Sequence, residues 1–299
     1  MSATHATPDA AEAVELVGAG APRRGPRAPG ASGDAVLAIA CGAVLLLALI
    51  AALAPGLLAP GDPIAVNPRE AFRPLFSPGH PLGTDESGRD LWTRLVHGAG
   101  ASLAIGGAAT AIGIGLGALL GAVAALGGRV ADWITARVVE VGFAFPLVLL
   151  ALLLVVLSGP GAETAAWSVG LATAPGYARI IRSELRRIAR SGYVEAERAL
   201  GRGRLAILAR TIAPNAAGAL LALATLGLGQ AIVWASGLSF LDLGVRPPAP
   251  EWGAMLSAGR GYLSATGWWI TVVPGTAIVV VALAATLLGR ALERMGRRR

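Results

Sequence analysis

The chain has 299 residues, 55% of them hydrophobic and only 14% charged, with mean hydropathy +0.64 and formal net charge +7. A soluble domain carries about 25% charged residues, so an ordinary soluble enzyme is excluded and a membrane protein is expected. All 25 basic residues are arginines, and where they fall decides between a nucleic-acid surface and a membrane topology.

Residues 1–34 are rich in Ala, Pro and Gly and include Arg23, Arg24 and Arg27. They hold too little apolar matter to fold alone and are expected to form a disordered cytoplasmic arm. They are also too long and polar for the n-region of a secretory signal. Residues 35–54 then read as an uncleaved first transmembrane helix, in which Cys41 is a small buried hydrophobe.

Residues 55–98 form a polar, extracytoplasmic loop. Prolines at 55, 60, 63, 68, 74, 78 and 81 forbid long helices and central strands. Only DESGRDLWTRLVHG is expected to make a short amphipathic helix ahead of the next span.

Residues 99–290 form a five-helix core. The second apolar run, Ala101 to Leu126, carries Gly113, Gly117 and Gly121 on one face, a seam for close helix packing. A polar break with Arg129 and Arg137 follows. The third run, Val138 to Leu157, has Glu140 near its start, expected to pair with Arg137, and Pro146 as a kink. The fourth, Ala165 to Ile181, is interrupted at Pro175-Gly176. The fifth runs from Ala216 to Leu241 and the sixth from Trp268 to Leu288. A basic cytoplasmic tail occupies 291–299.

Six spans bring both termini to one side. The arginines before span one, between spans two and three, between four and five, and after six all share that side, which the positive-inside rule makes cytoplasmic. The opposite side holds Arg69, Arg73, Arg89, Arg94, Arg246 and Arg260, most of them in a long loop where the rule counts charge weakly. The basic balance therefore needs no nucleic acid.

The cytoplasmic loop at 182–215 has a pattern of its own. Tyr193, Ala196 and Leu200 recur at helical spacing, and Gly201 is a helix terminator. Leu205, Leu208 and Ile212 make a second apolar face, which Pro214-Asn215 ends. Two short amphipathic helices joined at a glycine make an elbow, and an amphipathic elbow needs a surface to pack on. Glu195 and Arg198 are spaced to pair with each other. Arg202 and Arg204 are expected to face solvent or the anionic leaflet, with contact to a partner as the alternative.

Other chemistry is weakly supported. His80, Asp85 and His97 fit no metal-ligand spacing and read as a structural turn or an external docking surface. Ser236 and Ser239 lack a base within the spans. A stand-alone secondary transporter would need paired intramembrane charges or inverted repeats, and neither is evident.

EAERALG followed by RGRLAILARTIAPN resembles the EAA loop of ABC-importer permeases. Glu195, Ala196, Gly201 and Pro214 match the pattern. Glu197 stands in place of the second Ala, and Thr211 and Ala213 in place of Ile and Leu. PGYARIIRSELRRI, LSFLDLGVRPPAPEWGAMLSAGR and HPLGTDESGRDLWTRLVHGAGASL are similar to the C-type permeases of the dipeptide/oligopeptide/nickel class. Thr286 and Arg290 stand where that class often has Asn and Asp.

The resemblance implies an all-α membrane protein of six transmembrane helices with the type I importer, MetI-like fold. It implies alternating access for peptides or a related solute such as nickel, in a prokaryotic cytoplasmic membrane. The implied partners are a B-type permease, two ATP-binding cassette subunits and an extracytoplasmic solute-binding protein. Tyr193, Glu195, Ala196, Arg198, Ala199, Gly201 and Pro214 would contact the ATPase. The chain has no phosphate-cradling GxxxxGK[ST], so ATP and Mg would be bound by the partner ATPases and the chain itself would be no enzyme, with no cofactor or metal of its own.

Overall fold

A computed structural model of the chain describes residues 31–263 and 267–297. The expected arm lies outside the described residues up to residue 30, as do the last two residues of the expected tail. The described chain is almost wholly helical. Its elements are α1 (Ala31–Leu53), α2 (Pro55–Leu58), α3 (Leu91–Leu126), α4 (Gly128–Ala144), α5 (Leu147–Ser158), α6 (Ala162–Ala189), α7 (Gly192–Ala199), α8 (Arg204–Ile207), α9 (Ala213–Phe240), α10 (Trp252–Gly259) and α11 (Trp269–Arg297).

Among the described residues, four helical stretches are long and apolar enough to span a membrane: the one from Gly33 to Leu53, α3, the run from Arg204 to Phe240, and the one from Trp269 to Met295. The pair α4–α5 makes a fifth, broken by a bend of 86°. The bend falls at Phe145-Pro146, where Phe145 is extended (φ −98°, ψ 133°) as a residue before proline tends to be. The long helix α6 carries charged residues and is not among these apolar stretches. It runs parallel to α3, with Gly170 beside Ala109 and Ile112, and Ala178, Ile181 and Arg182 beside Gly121. Parallel neighbours need a crossover between them, and α4–α5 is that crossover.

Small residues let the helices approach. A Cβ on Gly117 would lie 2.5 Å from Tyr177 Cβ, one on Gly113 2.9 Å from Tyr177 Cε2, and one on Gly121 3.0 Å from Ala178 O. The three glycines therefore line the α3–α6 crossing. Tyr177 also meets Gly227 of α9, so three helices join at one buried ring. Thr286 sits where α11 crosses α9 at Gly229. Cys41 is buried in α1. Asp34 in the first turn of α1 pairs with Arg294 near the end of α11 at 3.2 Å, which puts both ends of the described chain at one end of the bundle.

Several expected boundaries move. The first helix begins at Ala31, inside the segment read as disordered. DLWTRLVHG is the start of α3 and not a separate helix, because Asp90 caps α3 through Thr93 N at 2.8 Å. The polar break at Arg129 and Arg137 is helical. Within it Arg137 and Glu140 pair at 2.7 Å, and Asp132 binds both Arg182 and Arg186 of α6, the latter at 2.7 Å. The fourth run is not interrupted, since α6 continues through Pro175-Gly176 to Ala189.

At the opposite end of the bundle, the proline-rich segment before α3 folds into a cap. Asp85 accepts from the Ser87 and Arg89 amides at 2.8 and 2.9 Å. Gly88 takes φ +74°, and a Cβ there would collide with Asn67 O at 1.8 Å, so only glycine fits. Trp269 of α11 donates to Thr84 O at 3.1 Å. Arg94 is buried and donates to Pro63 O at 2.9 Å and Pro248 O at 3.3 Å. Glu251, 2% exposed, caps α10 through the Gly253 and Ala254 amides and accepts from Ser102 of α3 at 3.0 Å. Thus HPLGTDESGRD and GVRPPAPEWG, far apart in sequence, interlock over the ends of α3 and α11.

Burial in this cap pushes the Glu86 carboxyl above its ordinary value, with Asp85 adding to the effect while backbone donation and Arg89 and Arg94 oppose it. A raised folded value favours folding while Glu86 is protonated, and that contribution is lost as pH rises through the folded value. Glu86→Gln is therefore expected to stabilise the permease more near pH 7 than near pH 5. Thermal unfolding of parent and variant at both pH values checks this, and an equal gain at both would contradict it.

Candidate functional site

The elbow between α6 and α9 is exposed at its tip and held by backbone caps at both ends of α7. Ser191 opens it. Its carbonyl accepts from the Val194 and Glu195 amides at 3.0 and 3.1 Å, and its hydroxyl donates to Ile188 O at 2.6 Å. The turn separates α7 from the long shaft of α6. α7 ends in a Schellman arrangement: the Arg202 amide donates to Glu197 O at 3.1 Å and the Gly201 amide to Arg198 O at 3.0 Å, with Gly201 at φ +78°. A side chain there would strain the cap even though nothing lies within 4 Å of a Cβ.

The apolar stripe of α7 that the sequence shows faces outward. Tyr193, Leu200 and Leu205 are 48%, 79% and 81% exposed. The residue that anchors the helix is Val194, 0% exposed, set among Tyr177, Ile181, Leu185, Ile188, Ile207 and Ile212. Glu195, Ala196, Arg198, Ala199 and Gly201 share the exposed tip. No ion pair joins Glu195 to Arg198 among the described residues. Arg202 pairs with Glu197 at 2.9 Å while its side chain stays 52% exposed. Pro214 does not end the elbow. The chain passes through a π-turn at Leu208–Ile212 straight into α9, and the proline falls in the first turn of α9, where a missing N–H costs least.

Two features were not legible from the elbow's pattern. Val194 was hidden by its louder neighbours, although it lies on the same stripe as Ile188 and Ile207 only once the chain has turned. Glu197 lies against Thr211, its Oε2 accepting from Thr211 Oγ1 at 2.8 Å. Both are positions where the sequence departs from the EAA pattern.

The other residues singled out have structural work. His80 bridges Asp90 at 2.9 Å and Glu70 at 3.3 Å through its two ring nitrogens. His97 bonds Ala59 O at 3.0 Å. Ser236 and Ser239 are buried where α9 receives Gly253 of α10. Beside them an open cleft of ≈ 350 Å³ is lined by Asp242, Ser257, Arg260 and Tyr262, with Asp242 accepting from Ser257 at 2.8 Å and Arg260 at 3.1 Å.

Comparison with known proteins decides what kind of molecule carries this elbow. The family described as "binding-protein-dependent transport system inner membrane component" matches residues 113–298. The chain belongs to that family. The permease is 38% identical to a di/tripeptide transport system permease protein of Pseudomonas aeruginosa over 71% of this chain and 70% of the relative. It is 35% identical to a dipeptide transport system permease of Alkalihalophilus pseudofirmus over 82% and 80%, and 33% identical to a glutathione transport system permease of Pectobacterium atrosepticum over 86% and 85%. Its fold is similar to that of a chain in the inward-facing MetNI methionine ABC transporter, with TM-score 0.55 at 21% identity, covering 68% of this chain and 95% of that one. The permease is thus a multi-pass membrane subunit of an ABC importer with the type I fold.

Proposed function

We propose that the permease moves peptides, and that its elbow is the surface on which a cytoplasmic ATP-binding cassette subunit docks. The observation behind this reading is a set of exposed apolar residues across the elbow: Tyr193 on α7, Leu200 at its C-terminal cap and Leu205 on α8. An exposed apolar ridge rimmed by Glu195, Arg198 and Arg204 has the make-up of a protein interface, with an apolar centre and a polar rim. Two such elbows, one here and one on a B-type partner permease, would convert closure of two ATPases into rocking of the bundles. ATP and Mg belong to those ATPases. The elbow end of the bundle, with Asp34, Arg294 and most of the arginines, faces the cytoplasm under the positive-inside rule. The cap faces an extracytoplasmic solute-binding protein. Peptides are favoured over nickel because the relatives named above are di/tripeptide, dipeptide and glutathione permeases.

The test is co-expression with the neighbouring permease and ATPase genes, affinity purification through this chain, and dialanine uptake in proteoliposomes supplied with the solute-binding protein. ATPases in the purified complex and ATP-dependent uptake are expected. Failure of any ATPase to co-purify would overturn the docking reading, and an assembled complex that moves nickel but no peptide would overturn the solute.

A further inference from the structure

We infer that Glu197 is a positioning residue that clasps the elbow to the root of α9, so that α7 and the α9 span move as one piece. The inference rests on the docking reading above and deepens it. Between α7 and α8 the chain is Gly201-Arg202-Gly203, and nothing lies within 4 Å of a Cβ at either glycine. The backbone joint is unpacked. On its own it would absorb a displacement of α7 by bending, because glycine is free to leave φ +78° for other regions. α7 is short, eight residues, and far below the length at which an isolated helix holds itself.

Beside the Schellman backbone bonds of the cap, two side-chain contacts oppose that bending. Val194 seats α7 in the apolar cluster under α6 and α9. That contact resists lifting, yet an apolar side chain is non-directional and resists twisting weakly. Glu197, three residues on, supplies the direction. Its Oε1 takes the Arg202 guanidinium at 2.9 Å, across the joint. Its Oε2 takes the Thr211 hydroxyl at 2.8 Å, within the π-turn that opens α9. One carboxylate therefore spans all three parts: helix, joint and span. Thr211 is buried and Glu197 half-buried, so the Thr211 bond is partly shielded from water while the Arg202 pair is exposed, and both are charge-assisted on the acceptor side. The two positions at which this elbow departs from the EAA pattern with a new polar group are the two that meet.

The experiment uses the complete transporter, assembled with its partner permease and ATPases and reconstituted with the solute-binding protein and dialanine. Two quantities are read: amide hydrogen exchange across residues 197–203, and dialanine imported per ATP hydrolysed. In Glu197→Ala, exchange is expected to rise about tenfold, the factor for losing a hydrogen bond to a charged group. Uptake per ATP is expected to fall by a similar factor, while the ATPases co-purify at the parental level. Glu197→Gln keeps an acceptor for Arg202 or Thr211 and is expected to recover most of both. The double variant Glu197→Ala with Thr211→Val is expected to exchange no faster than Glu197→Ala alone, since one clasp can be lost only once. Unchanged exchange in Glu197→Ala would overturn the clasp, and raised exchange with undiminished uptake per ATP would overturn its positioning role. If no ATPase co-purifies with the parent, the docking reading fails by itself, and exchange across 197–203 in the permease still decides the clasp.

Discussion

Leu200→Asp combined with Leu205→Asp is expected to abolish ATP-driven uptake while leaving the permease in the membrane at its parental abundance. Both leucines are about four-fifths exposed and touch none of the three buried clusters. Their loss therefore opens no cavity, and substitutions at such positions shift stability by about 0.5 kcal/mol or less. In a docked complex the same side chains would be buried. Losing that burial costs roughly 1.5–3 kcal/mol for each leucine, and desolvating an aspartate in their place adds to it. A total of about 3 kcal/mol or more corresponds to at least a hundredfold weaker association. The measurement is the amount of ATPase recovered with the purified permease, alongside dialanine uptake. Recovery at the parental level would remove this ridge from the interface.

Gly117→Val is expected to prevent recovery of a folded permease. The added Cβ would meet Tyr177 Cβ at 2.5 Å and the backbone of Ala178 at 3.0 Å, closer than van der Waals contact allows. Tyr177 has nowhere to retreat, because its hydroxyl already sits against Gly227 of α9. Overpacking of this kind costs typically 1–3 kcal/mol for a small intrusion, and a β-branched side chain against backbone intrudes further. The control is Gly115→Val, two residues away on the open side of α3, where nothing lies within 4 Å. Size-exclusion profiles and thermal unfolding in mild detergent are expected to show aggregation for the first and a near-parental profile for the second. A monodisperse, stable Gly117→Val permease would show that α3 and α6 do not depend on this close approach.

The class of the molecule was legible from composition, because a hydrocarbon core admits only long apolar segments and every such segment announces itself. The glycine stripe at 113, 117 and 121 was legible for the same kind of reason: a four-residue repeat lies on one helix face whatever the neighbour. The elbow was legible as an amphipathic break with a glycine stop, and the Schellman cap at Gly201 follows from local chain chemistry alone. Of the six expected spans, the described residues give four long apolar helices and a bent fifth pair, and several boundaries move. α6 was cut short because arginines at 182, 186 and 187 look like a loop, whereas two of them are neutralised by Asp132 on another helix.

Which face of α7 is buried could not be read from the sequence. Tyr193, Ala196 and Leu200 make the more obvious stripe, and it is the one turned outward. The sequence by itself determined that this is a multi-pass helical membrane protein, where its helices pack closely, and that a capped elbow interrupts them, since each of these depends on residues close together in the chain. Only the tertiary structure decided that Val194 is the anchor, that Asp132 holds α6, and that Glu197 meets Thr211 fourteen residues away. Those are contacts between segments, and their partners are chosen by how the chain turns rather than by any local pattern.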